Sequence, residues 1–182
     1  MIINPRGKFI LAVVALAAVA AVITLSVWAD DDVITFRTKL TGFGEVPPKL
    51  VGGSGTFVGK LSEDGTSISW TLTWTGLTGS AQVAHIHFGQ PQNVGTPVVF
   101  FCNGGNRPAP CPTGPSGTLS GTFTSADVVA VPSQHVAAGD FAGFVKILRV
   151  HLGYANIHTA LFPAGEIRGQ INVRQGDEDE DR

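Results

Sequence analysis

Charged side chains are scarce in this sequence. Lys, Arg, Asp and Glu make up 14% of 182 residues, against about 25% in an ordinary soluble domain. The net charge is −2 and the few basic residues are scattered, so no positive field exists to hold a nucleic acid and that partner is excluded. Signatures of common catalysis are also missing. The chain has no serine nucleophile elbow, no phosphate-binding loop and no paired carboxylates at a recognisable spacing. No internal repeat is visible. What is abundant is glycine, with 23 copies, and proline, with 11, a bias toward turns and short strands rather than helix bundles. The length fits one domain with one core.

The first 29 residues differ from the rest. Arg6 and Lys8 precede an apolar run over residues 9–27, and "SVWADDD" follows with Val27 and Ala29 placed for a signal peptidase. Residues 1–29 are therefore expected to be a signal peptide cut after Ala29. An uncleaved anchor tethering the protein to a membrane through residues 9–27 is the alternative, because 19 apolar residues can also span a bilayer. On either expectation the domain, residues 30–174, is secreted, periplasmic or otherwise outward-facing. The end, "QGDEDEDR", has nothing to bury and reads as an acidic disordered tail over 175–182.

That compartment bears on Cys102 and Cys111, nine positions apart in a Gly- and Pro-rich stretch. Outside the cytosol such a pair is expected as a disulfide. Metal ligation by the pair is the weaker rival, since no histidine flanks either cysteine.

The apolar period is mostly two. In "SISWTLTWT", Ile68, Trp70, Leu72 and Trp74 share one face, and the intervening Ser and Thr residues share the other. Asp64-Gly65 marks a hairpin joining "GTFVGKL" to "SISWTLTW". Further strands are expected at "VITFRTKL", "AQVAHIHFG", "TPVVFF", "SGTLSGTFT", "YANIHTALF" and "GEIRGQINV". The predicted fold is all-β, an antiparallel Greek-key-like sandwich or barrel. One helix interrupts it over about 140–152, where Phe141, Phe144, Val145, Leu148 and Leu152 recur at helical spacing between a cap at Asp140 and a stop at Gly153. A shorter helical turn fits "TSADVVA".

Five histidines are present, and two stand one residue apart in "AHIHFG". On a strand, Ala84, Ile86 and Phe88 point to the core while His85 and His87 stand together on the opposite, polar face, their Cα atoms roughly 6.5–7 Å apart. His158 is the polar member of "YANIHT". If the two strands are neighbours, three imidazoles converge, a set that suits Cu or Zn with an open fourth position. The commoner outcome for such a pattern is a structural polar cluster. His135 and His151 are expected at the surface. A second constellation comprises Glu45 together with Glu166 and Arg168, whose plain reading is a structural Glu–Arg pair and whose sharper one is a ligand-facing role.

The ordered set "LTGFGEVPP", "GSGTF", "AHIHFG", "ANIHT" and "FPAGEIRGQI" resembles the CHRD domain, named after chordin, over about residues 34–173. Phe43, Gly44 and Ile157 depart from the usual pattern without touching the histidines. The resemblance implies an extracellular β-rich domain of the kind found singly in exported bacterial proteins, with no firmly attached enzymatic activity. The positions that match the family are Glu45, Pro47, Pro48, His85, His87, Asn156, His158, Thr159, Glu166, Arg168 and Gly169, so Asn156 and Thr159 join the ligand-binding candidates through it. Two functions follow as expectations. The favoured one is a non-enzymatic module that binds an extracellular protein or small ligand through its polar histidine face. The other is a mononuclear Cu or Zn protein with redox or hydrolytic activity. "HIHFG" is also similar to a copper-ligand strand of Cu,Zn superoxide dismutase, but the further His and Asp cluster for a bridged zinc is missing.

Overall fold

The computed structural model describes residues 33–174. The expected signal or anchor segment and the acidic tail lie outside them. Among the described residues nine strands form one antiparallel sheet: β1 (Thr35–Thr41), β2 (Ser54–Leu61), β3 (Ile68–Thr75), β4 (Ala81–Phe88), β5 (Thr96–Cys102), β6 (Gly117–Phe123), β7 (Gly153–Thr159), β8 (Ile167–Gln170) and β9 (Asn172–Arg174). The sheet order is β5-β4-β7-β8-β1-β2-β3-β6, with β9 pairing β1. The sheet curls into a nearly closed barrel, bringing its two ends together inside: Phe101 of β5 lies 4.9 Å from Trp70 of β3 and 5.3 Å from Phe123 of β6, ring centre to ring centre. The expected all-β class and every expected strand are present.

The predicted hairpin is β2–β3, with Phe57 opposite Leu72 and Gly59 opposite Trp70. Its turn places Gly65 at φ 69°, and the Asp64 carboxylate accepts from the Thr66 N–H and hydroxyl. The alternation holds as read: Ile68, Trp70, Leu72 and Trp74 are buried. On the neighbouring β6, Gly117 and Gly121 leave room for the indoles, since a Cβ there would stand 2.5 Å from Trp74 and 2.8 Å from Trp70. Burying such rings stabilises the core by roughly 2–3 kcal/mol each.

The helix α1 spans Phe141–Arg149, and the Asp140 side chain accepts from the Gly143 N–H as a cap. It buries Phe141, Phe144, Val145, Ile147 and Leu148. The expected stop at Gly153 is corrected. The chain reverses at Val150–Leu152, where His151 takes the left-handed conformation at φ 58° and Leu152 N–H donates to the Ile147 carbonyl. Gly153 is already the first residue of β7. "TSADVVA" contains one 3-10 turn, Ser125–Asp127. Cys102 and Cys111 form a disulfide, a cross-link that contributes roughly 2–3 kcal/mol in the loop-entropy account.

Candidate metal centre

Strands β4 and β7 are hydrogen-bonded neighbours. Val83 faces His158, His85 faces Asn156 and His87 faces Tyr154, while on the far side of β7 Asn156 pairs with Arg168 and Tyr154 with Gln170 of β8. Side chains on one face of adjacent strands stand together, so this register alone assembles His85, His87, His158, Tyr154, Asn156 and Arg168. The three imidazoles meet: ring centres are 4.3 Å apart for His85 and His87, 4.6 Å for His85 and His158, and 6.3 Å for His87 and His158. One nitrogen from each ring lies within 4.8 Å of the others.

The polar face that carries these histidines is covered. His85, His87 and His158 are 5%, 6% and 8% exposed. Three loops cover them. Loop 42–53 brings Glu45, whose carboxylate accepts from the Asn156 amide at 2.6 Å. Loop 89–95 brings the Gly95 carbonyl to His87 Nδ1 at 2.9 Å and the Gln90 carbonyl to Arg168 at 3.0 Å. Loop 160–166 brings the Pro163 carbonyl to His158 Nδ1 at 3.0 Å. Phe100 of β5 stands against His85, 5.2 Å between ring centres.

A carbonyl can only accept, so Nδ1 of His87 and of His158 must carry the proton and Nε2 of each keeps its lone pair. Those two Nε2 atoms, together with His85 Nδ1, are buried without a hydrogen-bond partner. Buried polar atoms are nearly always satisfied, so three orphaned nitrogens in one cluster point to something they could bind. Tying the second nitrogen of a histidine to a carbonyl is how proteins orient metal-ligating imidazoles. Metal–nitrogen bonds of about 2.0–2.1 Å place donors roughly 3.4 Å apart, so the rings have only to lean inward. Burial pushes His85 down to about 2, with His87 and His158 adding to the effect. Burial pushes His87 down to about 4 and lowers His158 as well. All three are neutral at physiological pH, the form that ligates.

Around this cluster the remaining candidates divide. Asn156 bridges Glu45 and the Ile167 carbonyl; burial raises the Glu45 pKa despite that bond. Gly165, at φ 115°, lets the loop close over this pair, since a Cβ there would stand 2.6 Å from the Glu45 carboxylate. Glu166, fully buried, belongs to a separate network. It accepts from the Thr78 N–H at 2.8 Å, the Thr78 hydroxyl at 2.7 Å and the Thr159 hydroxyl at 2.6 Å. The expected Glu166–Arg168 pair is therefore corrected: the carboxylate is committed to Thr78 and Thr159. The Arg168 guanidinium lies instead 3.4 Å from the centre of the Tyr154 ring. Tyr154 in turn stacks on His87 at 4.5 Å and 9°, its hydroxyl accepting from Gly95 N–H. Sequence reasoning gave Tyr154 no role, although strand alternation puts it on the same face as Asn156 and His158. Thr78, in a loop, carried no signal. His135 and His151 are exposed, as expected.

No curated protein and no solved structure matches the chain. A CHRD-domain family model matches residues 36–171, a span that contains all three histidines, the covering loops and both buried acids, and the chain belongs to the CHRD-domain family.

Proposed function

We propose that this CHRD domain is a mononuclear metal-binding module in which His85, His87 and His158 hold one copper or zinc ion. The observation that carries this reading is the convergence of three buried, unpartnered nitrogens, two of them on rings whose other nitrogen donates to a carbonyl. A purely structural histidine cluster would use those nitrogens in hydrogen bonds. Glu45, Asn156, Thr159, Glu166 and Arg168 then act as the frame around the site, anchoring the loops that exclude water from it. Partner binding through an open histidine face has less support, because the rings are covered.

The Cys102–Cys111 disulfide supports an oxidising compartment, in keeping with export of the domain. No helix among the described residues is long and apolar enough to cross a membrane.

Metal content by inductively coupled plasma mass spectrometry tests the proposal, on protein purified without a histidine tag or chelator. We expect about one equivalent of copper or zinc, lost in His87→Ala while the circular dichroism spectrum is kept. Protein that is metal-free and takes up neither added ion would overturn the reading.

A further inference from the structure

The site is unusual in its charge. Among the described residues the converging cluster consists of three neutral imidazoles, with no carboxylate or thiolate in it. Of the two buried acids, Glu166 is held by Thr78 and Thr159, and Glu45, hydrogen-bonded to Asn156, interacts with both Arg168 and Lys49 and so offsets only one of these two positive charges. A permanent cation stands one ring away: the Arg168 guanidinium covers Tyr154, and Tyr154 is stacked on the ligand His87. Lys49 adds a second positive charge on the His158 side.

These features discriminate among ions. The penalty for burying an ion grows as the square of its charge, so a dication meets about four times the penalty of a monocation. Neighbouring cations widen that difference further. Geometry acts in the same direction. Zn(II) seeks four ligands in a tetrahedron and Cu(II) a tetragonal set, whereas Cu(I), with a filled d shell, is satisfied by three nitrogen donors. Each of the three available nitrogens is shielded from solvent, so a hydroxide that would complete the coordination of a dication and halve its charge has no ready approach.

We infer that the three-histidine centre selects Cu(I) over Cu(II) and Zn(II), and that Arg168, acting through Tyr154, is a positioning residue that strengthens this preference electrostatically. The inference rests on the metal-site reading above and adds to it the identity and charge of the ion. The domain then keeps copper reduced and shielded in an oxidising compartment.

The test is competition titration on the full protein: Cu(I) against bicinchoninate without oxygen, Cu(II) and Zn(II) against nitrilotriacetate in parallel. We expect one equivalent of Cu(I) bound at least ~1,000-fold more tightly than Zn(II), and an X-ray absorption edge of a cuprous ion with three nitrogen neighbours. Arg168→Gln should narrow the Cu(I)-to-Cu(II) affinity ratio by about tenfold, while Arg168→Lys should largely keep it. Lys49→Gln, at the domain surface, gives the same readout in the same direction should Arg168→Gln fail to fold. Zn(II) or Cu(II) binding as tightly as Cu(I) would overturn the inference and leave the metal site standing. Binding of none of the three ions would sink both. An unchanged ratio in folded Arg168→Gln and in Lys49→Gln would remove the electrostatic role.

Discussion

On β3 every second residue, Ser69, Thr71, Thr73 and Thr75, stands toward solvent, exposed or half-buried, and the threonines pair with neighbouring hydroxyls: Thr73 with Thr56 at 2.6 Å, Thr71 with Ser120 at 3.2 Å and Thr75 with Ser116 at 3.0 Å. On β4 the corresponding set, Val83, His85 and His87, lies under loops, and its two histidines are buried. Both strands alternate with period two and both put their large apolar residues into the barrel. The difference is cover. Hydroxyls on β3 can exchange partners with water, so their bonds add little net stability. Polar groups on β4, β7 and β8 have lost water and must find every partner within the protein, and those left without one are the three histidine nitrogens and the Gln170 side-chain oxygen.

Breaking the covered side should cost most. Glu166→Ala leaves the buried Thr159 hydroxyl without an acceptor and strips the N–H and hydroxyl of the exposed Thr78 of theirs, and urea unfolding should report a loss of about 2 kcal/mol. A loss below about 1 kcal/mol would mean that water reaches this network.

Acid should come next. His85 and His87 have folded pKa values of about 2 and about 4, below the ordinary 6.5. The unfolded chain therefore binds more protons than the folded one between those values and 6.5, and stability rises with pH across that window. Metal-free protein should keep its full melting temperature above pH 6.5 and lose it progressively from 6.5 toward 4. Glu45, raised by burial, works in the opposite sense and softens the fall. A flat profile over pH 4–6.5 would contradict the burial of the histidines.

A finer contrast lies within the cluster. His85→Leu removes an unpartnered nitrogen and should leave metal-free stability within about 1 kcal/mol of the parent, while abolishing metal uptake. His87→Leu should cost about 1 kcal/mol more, because the Gly95 carbonyl loses its donor. Equal effects in differential scanning calorimetry would show that the two rings do not differ in hydrogen bonding. Smallest of all, Ser120→Ala on the open side should change stability by about 0.5 kcal/mol or less. A larger loss in urea melts would mean that the hydroxyl rows also stabilise the sheet.

Much of the fold was legible because it is local. Alternation in "SISWTLTWT" and "AHIHFG", the Asp64-Gly65 turn, the helical stripe from Phe141 and the two cysteines are short-range patterns, and each produced the element expected of it. The helix stop misled because Gly153 is the residue type that usually ends helices, yet a histidine can adopt the same backbone and Gly153 was needed where the Leu148 side chain crosses β7. Glu166 and Arg168 misled because two opposite charges on one strand face suggest each other, while Thr78 and Tyr154 offered closer partners.

The sequence by itself determined that this chain is an antiparallel β domain with a disulfide, and that His85 and His87 share a face with His158 on a strand of its own. Alternation settles which residues point together, since it follows from backbone geometry at each position. Only the tertiary structure decided that β4 and β7 are neighbours, that loops 42–53, 89–95 and 160–166 close over their polar face, and that three nitrogens are left there without partners. Strand order and loop cover depend on contacts between residues as far apart as Glu45 and Asn156, and no periodicity within a segment encodes them.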